Sequence, residues 1–208
     1  MLLIAVALVA GISAGLITGG SLRRLGDVQF RWWPLAILGL ALQFVPVRSS
    51  PIGHDLGVGL LIASYGLLLA FVALNVRYRG FALMGIGFAM NILVIALNGG
   101  MPVSSHALRA AESGTYAESV ARLRAQGGGK HHLERGDDKL SAIADIVGIG
   151  PPVRQVYSPG DLLALLGLAV VGAETTRPRR EAYTPKHAAS GNRKIEQEDF
   201  GFSPRRTR

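Results

Sequence analysis

The stretch LGVGLLIASYGLLLAFVALNV, residues 56–76, decides the fold. It runs 21 residues without a charge. A helix rises ~1.5 Å per residue and a hydrocarbon core is ~30 Å thick, so ~17–25 apolar residues suffice to cross it. Three more apolar stretches repeat the pattern at residues 2–18, 32–47 and 81–98, none with a charge. A fifth, residues 162–173, has only 12 uncharged residues. It reaches a workable length when extended through Thr176, with Arg177 snorkelling to the interface. The expectation is an all-α integral membrane protein, a bundle of about five transmembrane helices.

Composition agrees. The 208 residues are 49% hydrophobic, 17% charged, and have mean hydropathy +0.32. A soluble domain is usually about a quarter charged. Net charge is +8 and there is no Cys, which excludes disulfides, thiolate metal sites and Cys nucleophiles. Nine of the 22 basic residues follow Ala173, and no aromatic–basic interleaving accompanies them, so no nucleic-acid partner is expected. The arginines sort by connection instead. Arg23, Arg24 and Arg31 follow the first span, Arg77 and Arg79 follow the third, and the basic tail follows the fifth. Basic residues on alternate connections put the N-terminus outside and the C-terminus in the cytoplasm of a bacterial inner membrane. The first span is not read as a signal peptide, because its basic pair follows it rather than precedes it. Trp32, Trp33 and Tyr78 stand where interfacial aromatics belong.

The domain plan is a four-helix membrane region over 1–98, an extracytoplasmic loop over 99–160, a fifth transmembrane helix over 161–176 and a disordered basic cytoplasmic tail over 177–208. The tail carries few apolar residues and would attract anionic lipid heads. Gly11, Gly15 and Gly19 form a GxxxGxxxG ridge that lets another helix approach closely, either inside a bundle or in a homo-oligomer. Gln43, Ser64, Tyr65, Asn75, Asn91 and Asn98 are the polar groups in or beside spans. Asn91 and Asn98 share one helix face, which must turn into the bundle because an amide in hydrocarbon needs partners. An interhelical hydrogen bond is preferred to a polar pathway. With no Asp, Glu, Lys, Arg or His in the apolar stretches, a small channel or transporter ranks third among the functions.

The loop over 99–160 carries seven basic and six acidic residues. TYAESVARLRAQ, residues 115–126, reads as a helix with a Thr115/Glu118 capping box, ended by Gly127–Gly129. A second helix is expected over 138–147, capped by Asp137 or Asp138, with Leu140, Ile143 and Val147 on its apolar face. GIGPPV then breaks regularity, and Ser158 or Asp161 caps the last span. Between the helices lies KHHLERGDD, residues 130–138, the densest group of chemistry-bearing side chains. Adjacent residues on a strand point oppositely, so His131 and His132 make a poor pair for one metal. One of them with Asp137, Asp138, Asp145 or His106 could still converge. A structural network in which an Asp orients a His is preferred to a metal or catalytic site. No metal and no other cofactor are expected; a metal, if any, would use His131, His132 and Asp138.

NGGMPV (98–103) after a span, KHH…DDKL, and YSPGD before a last span together resemble a bacterial family of small multi-pass membrane proteins known only as a domain of unknown function. The resemblance covers roughly residues 1–175. It implies an integral membrane protein and supplies no reaction. In the family pattern an acid–Thr pair follows the histidines, whereas here Lys139 takes the Thr position.

The leading function is a non-enzymatic membrane binding or scaffold protein whose outer loop contacts a ligand or a protein or lipid partner. Asn91, Asn98, Met101, Pro102, Ser158 and Asp161 are the candidate binding residues. The alternative is a membrane-embedded enzyme acting on a lipid or envelope precursor, with His131, His132, Asp137, Asp138 and Asp145 as candidate catalytic residues.

Overall fold

A computed structural model describes residues 2–47, 51–111, 114–126 and 130–177. The expected disorder of the tail, apart from Arg177, and the glycine stop at 127–129 lie outside the described residues. The chain is mostly helical. Its helices are α1 (Leu2–Ile17), α2 (Trp33–Gln43), α3 (Pro51–Leu74), α4 (Arg79–Asn98), α5 (Ser105–Ala111), α6 (Tyr116–Gln126) and α7 (Pro159–Thr176). Four short strands accompany them: β1 (Met101–Val103), β2 (His131–Leu133), β3 (Val147–Ile149) and β4 (Gln155–Tyr157). Three helices, α3 from Ile52 onward, α4 and α7, are long and apolar enough to cross a membrane; α1 and α2 are shorter apolar helices. The weakest apolar stretch in the sequence thus becomes one of the three long helices. α7 gains its length at the start, where Ser158 caps it in a capping box with Asp161 and Pro159 fills a first-turn position that needs no N–H.

The apolar helices pack in a row, α1–α7–α4–α3–α2, so α7 is covered on two sides. Small residues make this possible. A Cβ on Gly11 would fall on the Ala169 carbonyl, and one on Gly15 on the Thr176 hydroxyl. On the other side of α7, Gly80 meets the Gly167 carbonyl and Gly87 that of Gly160. Backbones in such contact gain dispersion without any large side chain. The expected ridge is therefore used inside the chain: Gly11 and Gly15 are buried against α7. Gly19 takes a left-handed turn with nothing close to it. Large apolar side chains point outward instead, including Val9, Ile17, Ile37 and Leu166.

One end of the row gathers the arginine-bearing connections. Ser21 N–H donates to the Thr176 carbonyl at 2.8 Å, and Glu174 accepts from Gly80 N–H at 3.3 Å. Asn75 closes the α2–α3 side there. Its oxygen accepts from Arg31 N–H at 2.8 Å, and its amide donates to the Arg31 and Phe71 carbonyls at 2.9 and 2.8 Å. Phe30, Phe71, Tyr78 and Phe81 pack edge-to-face around it, with ring centroids 5.3–6.3 Å apart.

The opposite end carries a small cap. β2 pairs in parallel with β1, setting Met101 beside His131 and Pro102 beside His132. β3 and β4 form an antiparallel pair. α6 forms where its capping box placed it, with Glu118 N–H on the Thr115 hydroxyl and Thr115 N–H on the Glu118 carboxylate. The second expected helix, over 138–147, does not form. Leu140 is left-handed, Ser141–Ile143 is a single 3-10 turn, and Asp145 lies extended beside Val103. Asp145 N–H donates to the Pro102 carbonyl and Ser104 N–H to the Asp145 carbonyl. That pairing outweighs a weak helical signal in a run of Ile and Val, residues that suit extended backbone. The helix that accompanies α6 is α5 instead. Its only local signs were two serines before HALRAA, and Ala107, Leu108 and Ala111 bury its inner face.

Candidate functional site

α4 ends at Asn98 because Gly99 adopts the left-handed conformation that closes a helix. The chain therefore turns sharply into β1, and the cap folds back over the ends of α3, α4 and α7. Two ties hold it there. Asn98 grips the Lys139 backbone, accepting from its N–H at 2.7 Å and donating to its carbonyl at 2.8 Å. Only backbone atoms of residue 139 are used, so this tie does not depend on which side chain stands there. The second tie is Lys130, only 7% exposed, whose ammonium donates to the carbonyls of Leu42, Gln43 and Val45. These carbonyls have no helical partner where α2 stops, and a cation suits a helix C-terminus. Burial lowers the Lys130 pKa.

Beneath the cap, Asn91 joins three helices. Its amide donates to the Tyr65 hydroxyl at 3.0 Å and to Asp161 at 2.7 Å, and its oxygen accepts from the Ser158 hydroxyl at 2.8 Å. Ser158 N–H donates to the other Asp161 oxygen at 3.0 Å, and Asp161 N–H donates to Ser158 Oγ at 2.9 Å. Asn91 and Ser158 are fully buried. The Ser158 hydroxyl is thus engaged as donor and acceptor, and no base is left to make it a nucleophile. This is the interhelical hydrogen bond the sequence suggested, and more: one amide links α3, α4 and the capping box of α7. The charges absent from the apolar stretches sit towards helix ends, where α7 holds Asp161 in its first turn and Glu174 in its last, and α3 holds His54 and Asp55 near its start.

The histidines part company, as alternation along β2 requires. His131 Nε2 stands 3.8 Å from Asp145 Oδ2, with the His side chain 38% exposed and the Asp side chain 8%. His132 turns the other way, and its Nε2 lies 3.1 and 3.2 Å from the two Asp138 oxygens. Asp138 also accepts from Arg135 N–H at 2.7 Å. It therefore closes a tight turn rather than capping a helix. Burial works against its charge, but the Arg135 N–H and His132 outweigh that and lower its pKa. An ionised carboxylate only accepts, so His132 Nε2 carries the proton and Nδ1 is left buried without a partner. Asp137 is exposed and joins neither pair, and His106 is exposed on α5. Met101 and Pro102 are buried in β1 and serve as wall and backbone acceptor.

Around Asp161 the charges feel one another. Burial first, then the Asp161 charge, raises Asp145 well above the usual carboxylate range and raises Tyr157 as well. His131 is pushed below the usual histidine range by its apolar surroundings; Asp161 opposes the shift, and Lys130 and His132 add to it. The five proposed catalytic residues thus separate into His131–Asp145, His132–Asp138 and a lone Asp137. Among the described residues no three His, Asp or Glu side chains group to hold a metal ion. Lys130 is a participant that spacing alone did not select, and Tyr65 was singled out only as a polar group of a span, not as a partner of Asn91. Lys130 was overshadowed by the histidines beside it.

The model of a family of unknown function, DUF5317, matches residues 27–171, and the chain belongs to that family. No curated protein and no solved structure matches the chain.

Proposed function

We propose that this member of the family is a multi-pass protein of a bacterial inner membrane, with five spans, the N-terminus outside and the C-terminus in the cytoplasm. Support comes from the two ends of the row, one holding the arginine-bearing connections and the other the cap. α2 is the test of that reading, since its 11 residues rise only ~17 Å. Residues 44–47 carry the chain onward without helix, and Lys130 covers carbonyls there, as non-helical backbone at membrane depth requires. Reporter fusions to the tail check the topology; an outside tail overturns it.

The outer loop is then a cap that binds a ligand or partner without catalysing a reaction. One observation carries this. The polar groups of the Asn91 hub are closed on one another, whereas His131 above them stays partly open, its Nε2 3.8 Å from the carboxylate of Asp145. Purification in mild detergent followed by native mass spectrometry should retain a ligand or partner, and His131→Ala should release it. No reproducible retention in the wild type overturns the reading.

The second reading, a membrane-embedded enzyme acting on a lipid or envelope precursor, is favoured by one arrangement. His132 is held by Asp138 with Nδ1 bare, as in an oriented base. His132→Ala with an unchanged cellular phenotype and no bound metal sinks it.

A further inference from the structure

We propose that the corner where α1 and α7 end binds the phosphate of an anionic phospholipid headgroup, held by Arg24 and Arg177. The proposal rests on the reading of the row as a membrane bundle and names a lipid partner for its arginine-bearing end. The described residues there carry Arg23, Arg24, Arg31, Arg77, Arg79 and Arg177 against Asp27 and Glu174. Among the described residues no carboxylate comes within ion-pair reach of any of these arginines. Glu174 accepts from Gly80 N–H instead. Two of the arginines are pinned and brought together. Arg24 Nη1 donates to the Thr176 carbonyl at 3.2 Å, and Arg177 Nε donates to the Thr18 hydroxyl at 2.8 Å. The arginine after α1 thus lies on the end of α7, and the arginine after α7 lies on the end of α1. Because Arg177 directly follows Thr176, Arg24 Nη1 stands within about 7 Å of the Arg177 Cα. Gly15, whose Cβ would fall on the Thr176 hydroxyl, keeps the two helix ends in contact.

A cation beside a helix C-terminus ordinarily serves as a cap. The carbonyls of this corner do not need one. Those of Ala14, Gly15 and Leu16 accept from the N–H groups of Thr18, Gly20 and Gly19, and that of Thr176 accepts from Ser21 N–H at 2.8 Å. The Thr175 and Thr176 hydroxyls donate to the Gly172 and Ala173 carbonyls at 2.9 Å. Each guanidinium uses one of its five N–H donors in its contact here, so both forks keep donors to offer. Two like charges held close with no carboxylate between them repel, and an anion shared by both relieves the repulsion. A phosphate fits, because its oxygens accept paired N–H donors from a planar guanidinium. The surroundings favour a lipid over a free phosphate. Ile17 is 85% exposed and Leu22 58%, one on each side of the turn, so apolar surface flanks the charges. A lipid brings acyl chains to that surface, whereas a free phosphate leaves it bare. A choline headgroup carries its own cation and offsets the attraction, so an anionic headgroup is selected.

Thermal unfolding of the full-length protein in phosphatidylcholine nanodiscs with a rising fraction of phosphatidylglycerol, at constant ionic strength, tests the proposal. A parallel arm adds inorganic phosphate to discs of phosphatidylcholine alone. Stabilisation that saturates with phosphatidylglycerol is expected, with inorganic phosphate inert. Arg24→Gln and Arg177→Gln should each raise the half-saturating lipid fraction about tenfold, the loss of one charge-assisted hydrogen bond. Arg24→Lys keeps the charge but not the fork and should fall between the wild type and Arg24→Gln. Arg31→Gln removes the same charge at the α2 side of the row and should change the fraction less than about twofold. Native mass spectrometry of the wild type released from mixed discs needs no variant and should show phosphatidylglycerol retained over phosphatidylcholine. No preference for the anionic lipid, equal stabilisation by inorganic phosphate, or an equal effect of Arg31→Gln overturns the proposal. Discs present both faces, so orientation does not enter. An outside tail with the lipid preference kept overturns the topology and leaves the site; an inside tail with no preference overturns the site alone.

Discussion

Asn75 and Asn91 are two buried amides at opposite ends of one bundle, and their surroundings differ in kind. Asn75 binds only backbone, and its hydrogen bonds close on themselves. Asn91 binds side chains, two of them ionisable, Tyr65 and Asp161. The first is what a structural clasp needs and nothing more. The second ties ionisable groups into the clasp. On the reading proposed above, the cap end is where something else is recognised.

The largest expected break is Asn91→Ala. It strips the Tyr65 hydroxyl, the Ser158 hydroxyl and one Asp161 oxygen of a partner at once, and should cost about 3 kcal/mol or more in reversible unfolding. Asn75→Ala should cost about 2 kcal/mol and leave ligand retention by the cap untouched, because its partners are remote from the cap. An equal loss of ligand retention in both variants would dissolve the contrast. Gly11→Leu drives a side chain into the Ala169 backbone and should cost about 1–3 kcal/mol by overpacking, with α1 detaching from α7. No change there would mean that α1 lies elsewhere.

Asp145→Asn should act in the opposite sense and stabilise the ligand-free protein at neutral pH by about 1 kcal/mol, read as a higher melting temperature. The native Asp145 holds a proton that the unfolded chain gives up in the ordinary carboxylate range. Native stability from this group is therefore fully present below that range and is lost as pH rises through the raised native value. The variant should remove that part of the pH slope, which unfolding measured across pH 5 to 9 would read.

Much of this was legible beforehand for a physical reason. Apolar runs without charge have one outcome, since buried backbone must bond to itself, and Thr115 with Glu118 or Ser158 with Asp161 cap a helix through atoms three residues apart. The divergence of His131 from His132 also followed from spacing alone. The region over 138–147 was not legible, because extended pairing of Asp145 with β1 draws its hydrogen bonds from residues some forty positions away. The Gly11–Gly15 ridge announced a close contact but not its partner, which α7 turned out to supply.

By itself, then, the sequence determined the apolar helices, their caps and the alternation of charge along the connections, all of which depend on neighbours within a few residues. Only the tertiary structure decided which acids meet which bases. The stretch KHHLERGDD holds side chains that are close in the chain yet end on opposite faces of a strand. His131 and Asp145 come from separate segments and meet only because β2 and residue 145 both pair with β1.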